Sequence, residues 1–357
     1  MNETATPEPK RVIVLGAGFG GLAACKKLSK SGCEVTLIDR QNHHLFQPLL
    51  YQVATAGLSA PEIAQPVRDV LAKRKNLKVR MEDVESIDLD GKVVRTAERE
   101  LPYDYLVIAL GAVTSYFGND AWEKFAPGLK SLEDATRIRH SILGAFETAE
   151  ISDDSDERRR LMTIVVVGGG PTGVEMAGAC AELTRKVLRS NFRNIDTSDT
   201  RILLVEAAPG ILNTFDWSLA DYARQKLEAM GVEVRLGEPI EEIGDGFVRV
   251  GGEKISCGNI VWGAGVQASP VTRALGTTLG PGGRIAVEPD LSIPGHPAAF
   301  AIGDIVSLTD ANGVRVPGVA PAAMQMGKHV ASQINHELRF GQPEEVARAV
   351  IAAATGA

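Results

Sequence analysis

The sequence predicts an α/β protein made of two parallel-sheet units, and two repeated features carry that expectation. RVIVLGAGFGGLAA (11–24) and TIVVVGGGPTGVEMAG (163–178) share one design: a buried apolar run, a glycine loop, then a small-residue helix. Their leading glycines, Gly16 and Gly168, stand 152 residues apart. A second echo follows each copy. The strand end IALGA (108–112) places Gly111 95 residues after Gly16, and VWGAG (261–265) places Gly263 95 residues after Gly168. A strand, glycine turn and helix, twice over, is the signature of two Rossmann-like units with parallel sheets.

In the first copy Gly16, Gly18 and Gly21 form Gly-x-Gly-x-x-Gly after the strand RVIVL. Gly16 permits a tight turn, Gly18 lets the backbone approach a pyrophosphate, and Gly21 lets the helix pack close to the strand. The helix N-terminus then offers N–H groups and partial positive charge to phosphate. Alone the motif is weak evidence. Here the next strand, EVTLID, ends in Asp39, 18 residues after Gly21, where a carboxylate can accept ribose hydroxyls. The bland alternative is a glycine-tolerant turn with a surface acid, and it leaves the coincidence of strand, loop, helix and acid without a reason.

The second copy carries Gly168, Gly170 and Gly173, and its next strand, RILLVE, ends in Glu206. That acid lies 33 residues after Gly173, and the stretch 184–200, read as a longer helix plus loop, accounts for the excess. Ala207, Ala208 and Pro209 follow Glu206, so no cation stands ready for a 2′-phosphate. An acid there bonds the hydroxyl and repels the phosphate, which favours NAD(H) over NADP(H). Glu175 falls in the first turn of the helix after Gly173, where the helix dipole favours a carboxylate. It reads equally as a helix-end acid or as a group beside a reacting ring. Between the copies, ETAEISDDSDERRR (147–160) reads as a solvated helix end and connector.

A Pro/Gly-rich stretch, 279–304, returns the chain to the first unit and ends in the strand AFAIGDIV (299–306) with Gly303 and Asp304. The segment 318–338 then reads as a helix starting near Pro321, its N-terminus favouring negative charge nearby.

Bulk composition excludes several functions. The chain has 357 residues, 44% hydrophobic and 23% charged, with net charge −7 and 5% aromatics. That balance fits globular domains with real cores and argues against a nucleic-acid partner, which would need a basic stripe. Cys25, Cys33, Cys180 and Cys257 form no Cys-x-x-Cys pair and no metal-ligand spacing, so buried reduced thiols and no metal site are expected. The polar start, MNETATPEPK, reads as no secretory signal, and no run of about 18 apolar residues predicts a transmembrane span.

Further motifs add a resemblance. HHLFQPLLYQVATAGLS (43–59), GGGPTGVEMAGACAEL (168–183), VWGAGVQASP (261–270) and PGVAPAAMQMG (317–327) resemble type II NADH dehydrogenase, the non-pumping NADH:quinone oxidoreductase of the two-dinucleotide flavoproteins. The resemblance runs from about Lys10 to about Arg339. It implies a glutathione-reductase-like α/β fold, with an FAD-binding domain (8–125 and 285–340), an NADH-binding domain inserted in it (126–284) and a short tail (341–357). It also implies non-covalent FAD, NADH as donor, a membrane quinone as acceptor, and a cytoplasmic or peripheral place on the cytoplasmic face of the membrane. It leaves room for a homodimer.

By residue, the resemblance places Gly16, Gly18, Gly21, Asp39 and Asp304 on FAD, and Gly168, Gly170, Gly173 and Glu206 on NADH. The neighbouring Phe19, Gly20, Arg40, Gly111, Gly303 and Ala320, and Pro171, Thr172, Gly263 and Gly265, complete the expected cofactor contacts. Glu175 matches an acid near nicotinamide and flavin. The quinone-side pattern Ala-Gln-x-Ala-x-Gln is met at Ala320, Ala323 and Gln325, but Pro321 replaces its first Gln. Gln325 reads as a donor to a quinone carbonyl or as an ordinary helix residue. Family members usually continue past the closing helix into membrane-lying helices. Here RFGQPEEVARAVIAAATGA (339–357) ends the sequence, and EEVARAVIAAA within it reads as a short helix.

Four competing functions share some of these signals. Disulfide reductases place a redox cysteine just after the first ribose strand, where this chain has RQNHHLFQ (40–47). A sulfide:quinone oxidoreductase would have only Cys180 and Cys257 to use. His43 and His44 read as loop residues that solvate or hydrogen-bond, rather than as acid–base groups. A non-catalytic NADH sensor differs from an enzyme by staying reduced when a quinone is added, and a diaphorase by passing electrons to oxygen or dyes.

Overall fold

The computed structural model describes residues 8–310 and 312–341. The expected tail helix at 344–354 and the first seven residues lie outside the described residues.

Aliphatic runs make the central strands. Thr163–Val167 is buried at all five positions, and Arg11–Leu15 at all but its first, the pattern of strands covered on both faces. Two compact units result. The first takes the residues up to His44, Gln65–Val113 and those from Gln267 on; the second takes Leu45–Ala64 and Thr114–Val266.

In the first unit the sheet order is Ser292–Ile293, His296–Ala301, Tyr105–Ile108, Arg11–Leu15, Glu34–Asp39, Leu77–Met81. Every pairing is parallel except that of the short edge strand Ser292–Ile293. In the second unit the order is Val232–Leu236, Arg201–Glu206, Thr163–Val167, Asn259–Trp262, all parallel. The registers correspond: Val14 pairs with Leu37 and Val107, as Val166 pairs with Leu204 and Val261. Each unit also inserts a three-stranded antiparallel sheet, before the parallel strand Tyr105–Ile108 in one and before Asn259–Trp262 in the other. These are Val84–Asp88, Val93–Thr96 and Glu100–Pro102 in one, and Ile240–Gly244, Phe247–Val250 and Glu253–Ser256 in the other. That shared insertion falls inside the 95-residue spacing of both units, where the longer stretch between Gly173 and Glu206 is offset by a shorter one between Glu206 and Gly263.

The division differs from the boundaries expected from sequence. Residues 45–64 belong to the second unit because Leu50, Val53, Ala54 and Ile63 bury in the same core as Ile142, Phe146 and Met176. The second unit also begins at Thr114 and ends at Val266, inside the expected 126–284 at one end and outside it at the other. The charge run 147–160 is the last turn of the helix Leu132–Ile151 plus the helix Ser155–Leu161, so it lies within the second unit. The 184–200 stretch prolongs the helix Pro171–Glu182 by the π-helical turn Leu183–Val187, then turns through Thr197–Asp199. Buried Thr197 donates to the carbonyl of Thr184 at 2.7 Å and fastens that excursion.

The closing helix is Ala320–Phe340, and it lies against the first-loop helix Phe19–Leu28. Their contact is backbone to backbone: a Cβ on Gly327 would sit 2.2 Å from the carbonyl oxygen of Gly20. No helix among the described residues is long and apolar enough to cross a membrane.

Candidate functional site

The first glycine loop turns at Gly16, whose φ of +99° belongs to the region that favours glycine. A Cβ there would also lie 2.3 Å from the carbonyl oxygen of Ala109. At Gly21 a Cβ would fall 1.8 Å from the carbonyl oxygen of Gly16, so only glycine lets the helix start this close to the strand. Gly18 differs: nothing lies within 4 Å of where its Cβ would be. Its N–H meets no acceptor among the described residues. Extended backbone at Gly18 opens the helix, and no side chain caps it. An open position with a free amide at a helix N-terminus suits a phosphate oxygen. Asp39 pins the loop, accepting from the N–H of Ala17 at 2.5 Å with one oxygen and from the N–H of Gln41 at 2.7 Å with the other. A carboxylate has about four acceptor positions, so capacity remains for ribose hydroxyls.

The second loop repeats this geometry. Gly168 has φ +105°, and a Cβ on it would meet the backbone of Ala264 at 2.5 Å. A Cβ on Gly173 would fall 1.8 Å from the carbonyl oxygen of Gly168. Gly170 is open within 4 Å, its backbone extended and its N–H without an acceptor among the described residues. Glu206 takes the place of Asp39: it accepts from the N–H of Gly169 and, at 2.7 Å, from the N–H of Ala208. Both loops therefore fit a dinucleotide by a feature of their own backbone: a free amide beside space that a side chain would fill.

The other expected contacts divide. Gly263 donates to the carbonyl of Val167 at 2.7 Å and lies against Gly173, so it serves the close packing around the second loop. Gly265 stands beside Phe117, which a Cβ would strike at 2.4 Å. Gly111, with φ +68°, is open within 4 Å at the end of its strand. Gly20 faces the closing helix, where a Cβ would be 3.1 Å from the carbonyl oxygen of Ala323. Pro171 opens the second helix without an N–H of its own and Thr172 follows it, while Arg40 is exposed. Phe19 meets His44 edge-on, with ring centroids 5.0 Å apart.

The return segment brings Gly303 and Asp304 to the start of the closing helix. Gly303 has φ +78° and donates its N–H to the sulfur of Met326. Arg284 donates to the carbonyl of Asp304 at 3.1 Å, while the carboxylate of Asp304 takes no hydrogen bond from the described residues. Together with Arg315, Pro317 and Ala323 they line a concavity in the first unit. Burial and the neighbouring Arg315 hold the Arg284 guanidinium below its ordinary pKa, with Asp304 opposing them. Ala320 begins the helix, with no side-chain cap and Pro321 in its first turn.

Glu175 is on the second-loop helix. Its side chain is largely exposed, yet partial desolvation of the carboxyl raises its pKa from the ordinary value. Gln325 stands exposed on the closing helix one turn from Ala322. The four thiols are free and buried. Burial pushes Cys180 and Cys257 up to about 12, so neither offers a thiolate near neutrality, and a thiol relay has no group to run on. Sequence reading missed one participant. His44 Nδ1 donates to the carbonyl of Ala17 at 2.9 Å, a contact with no local sequence signal.

Comparison with known proteins agrees with this geometry. The family model described as pyridine nucleotide-disulphide oxidoreductase matches residues 10–327. The chain is 45% identical over 356 residues to the type II NADH:quinone oxidoreductase Ndh of Mycobacterium tuberculosis, covering 95% of this chain and 75% of that protein. It is 35% identical over 347 residues to the type II NADH:quinone oxidoreductase of Staphylococcus aureus, covering 94% and 84%. The structure of NDH2 from Plasmodium falciparum in complex with NADH superposes with a TM-score of 0.83 at 21% identity, covering 92% and 83%, a likeness of fold.

Proposed function

The chain belongs to the pyridine nucleotide-disulphide oxidoreductase family and, within it, to the type II NADH:quinone oxidoreductases, and from that premise we propose which of its residues do the work. It is a flavoenzyme that oxidises NADH and reduces a quinone. Bound FAD would supply the redox chemistry, as the two-electron carrier between NADH and quinone.

The first unit holds FAD. Gly16, Gly18 and Gly21 shape the loop, the Gly18 N–H donates to the pyrophosphate, and Asp39 accepts from ribose. Phe19 and Gly20 build the helix start behind that loop, and Arg40 and Gly111 border it. Asp304 offers its unpartnered carboxylate to the flavin's sugar chain, with Gly303 turning the backbone to bring it there. The uncapped N-terminus at Ala320 would favour the negative charge of a reduced flavin held beside it.

The second unit binds NADH. Gly168, Gly170, Pro171, Thr172 and Gly173 form its phosphate loop, Gly263 and Gly265 its border, and Glu206 accepts the 2′-hydroxyl. Glu175, its proton affinity raised by desolvation, positions the nicotinamide end. Gln325 donates its amide to a quinone carbonyl. A peripheral position on the cytoplasmic face of the membrane goes with this reading. So does a homodimer, which the mass in solution would reveal.

One observation supports the assignment most. In both units a strand-end carboxylate accepts from the N–H of the residue after the leading glycine, next to an open glycine whose own amide is free. The test is an anaerobic visible spectrum of the purified protein. Flavin bands are expected, bleaching with NADH and returning with a soluble quinone. Bleaching without return would refute the Gln325 acceptor side. A Gly18→Val variant is expected to carry no flavin, and normal flavin content in it would overturn the first-loop assignment.

A further inference from the structure

Two consecutive peptide groups determine where the free amide of Gly18 points. The first, between Gly16 and Ala17, is held through the Ala17 N–H by Asp39. The second, between Ala17 and Gly18, is held through the Ala17 carbonyl by His44, whose Nδ1 lies 2.9 Å away. A carbonyl only accepts, so Nδ1 carries the proton, and in the neutral ring Nε2 is bare. In a trans peptide the C=O and N–H point in opposite directions across one plane. Fixing the Ala17 oxygen therefore fixes the direction of the Gly18 N–H. The ring also meets Phe19 edge-on at 5.0 Å, so His44 touches the residues on both sides of Gly18.

The second loop shows that this peptide needs holding. There the corresponding carbonyl, that of Gly169, accepts at 2.8 Å from the backbone N–H of Leu212. Leu212 adopts φ +50° to deliver that N–H, a conformation that costs a non-glycine residue free energy. Two unrelated elements thus converge on the same oxygen at equivalent places.

We propose that His44 is a positioning residue for FAD: its Nδ1–H locks the Ala17–Gly18 peptide so that the Gly18 amide faces the pyrophosphate. This rests on the reading of the first loop as the FAD site. Burial of the half-exposed ring lowers its pKa against the opposing pull of the Ala17 hydrogen bond. The hydrogen bond survives protonation, because both ring nitrogens of the cation carry protons, so the lock does not open on acidification.

The test is the dissociation constant of FAD for apoprotein, read by flavin fluorescence quenching, in wild type, His44→Phe and His44→Asn. Phe keeps the edge contact with Phe19 and removes the donor. Asn places an amide nitrogen close to where Nδ1 stood. We expect His44→Phe to weaken FAD about tenfold, His44→Asn to remain within about threefold of wild type, and NADH affinity to be unchanged in both. If His44→Phe does not fold, His44→Leu against His44→Asn, which share one branched skeleton and differ in the donor, repeats the comparison, with Leu the weaker by about fivefold. An FAD constant within about twofold of wild type in the donorless variant overturns the proposal, provided Gly18→Val has lost its flavin. Flavin retained by Gly18→Val sinks the first-loop reading itself, and the two failures are thereby told apart.

Discussion

In the first glycine loop an imidazole holds the carbonyl before the open glycine; in the second a backbone amide does so. The first helix begins at Phe19, which has an amide N–H, while the second begins at Pro171, which has none. Asp39 in one loop becomes the longer Glu206 in the other. The three motif glycines keep one geometry in both, down to the 1.8 Å approach that forbids a Cβ at Gly21 and at Gly173. The comparison teaches which parts of a dinucleotide loop are geometry and which are tuning. Gly16, Gly21, Gly168 and Gly173 are geometry, because a Cβ at any of them would strike neighbouring backbone, while Gly18 and Gly170 keep open the space beside a free amide. The clamp, the first helical residue and the acid are tuning, and on the proposed assignment they separate a loop whose ligand stays bound from one whose ligand leaves on every turnover.

The largest effects come from the shared geometry. Gly21→Val is expected to give protein with no measurable flavin, and Gly173→Val a yellow protein that NADH does not bleach; visible spectra of both variants check this. If Gly173→Val also loses flavin, the two loops are not independent modules. Next comes the acid. Glu206→Arg is expected to lower kcat/KM for NADH about hundredfold and to raise that for NADPH, by replacing a hydroxyl acceptor with a phosphate donor. Steady-state rates with both donors decide it, and an unchanged ratio means that Glu206 is not the ribose acid. A smaller change follows at the helix start. Pro171→Ala restores an N–H to the second loop and is expected to lower KM for NADH by about two- to threefold without touching kcat.

The smallest expected effect is pH dependence through His44. Its folded-state pKa is depressed below 6.5, so the unfolded chain binds this proton more readily. Stability is then full above about pH 6.5 and declines as pH falls from there toward the depressed folded value. The melting temperature of apoprotein should drop less between about pH 7 and pH 5.5 in His44→Phe than in wild type. Equal drops would show that the ring titrates alike in both states.

The glycine loops were legible in the sequence because their signal is local. Spacing, strand and acid lie within one βαβ unit, and the first and third glycine of each loop answer to a clash with backbone a few residues or one strand away. The clamp at His44 was not legible, since its partner is 27 residues away and the same two histidines read as loop residues. Leu212 gave no warning either, because no residue type announces a left-handed leucine. The placement of 45–64 in the second unit escaped for another reason. Leu50, Val53 and Ala54 form one short helix, too brief for its period to say which core it faces. The antiparallel sheets that begin at Val84 and Ile240 were hidden inside the 95-residue echo, which carries no mark of their form.

The glycine-to-glycine contact between Phe19–Leu28 and the closing helix has a consequence in time. Gly20 and Gly327 are 307 residues apart, so at a ribosome adding roughly 5–20 residues per second the first unit's opening segment waits tens of seconds for its partner. The second unit is by then fully emerged, including Leu45–Ala64. The part of the chain made first is therefore expected to be finished last, and FAD loading to be a late event on the nascent chain. Ribosome-bound chains stalled near residue 315, with the second unit clear of the exit tunnel and the closing helix not yet made, should shield Thr163–Trp262 from protease while leaving Phe19–Leu28 open to cutting. Equal protection of both segments would show that the opening segment does not wait.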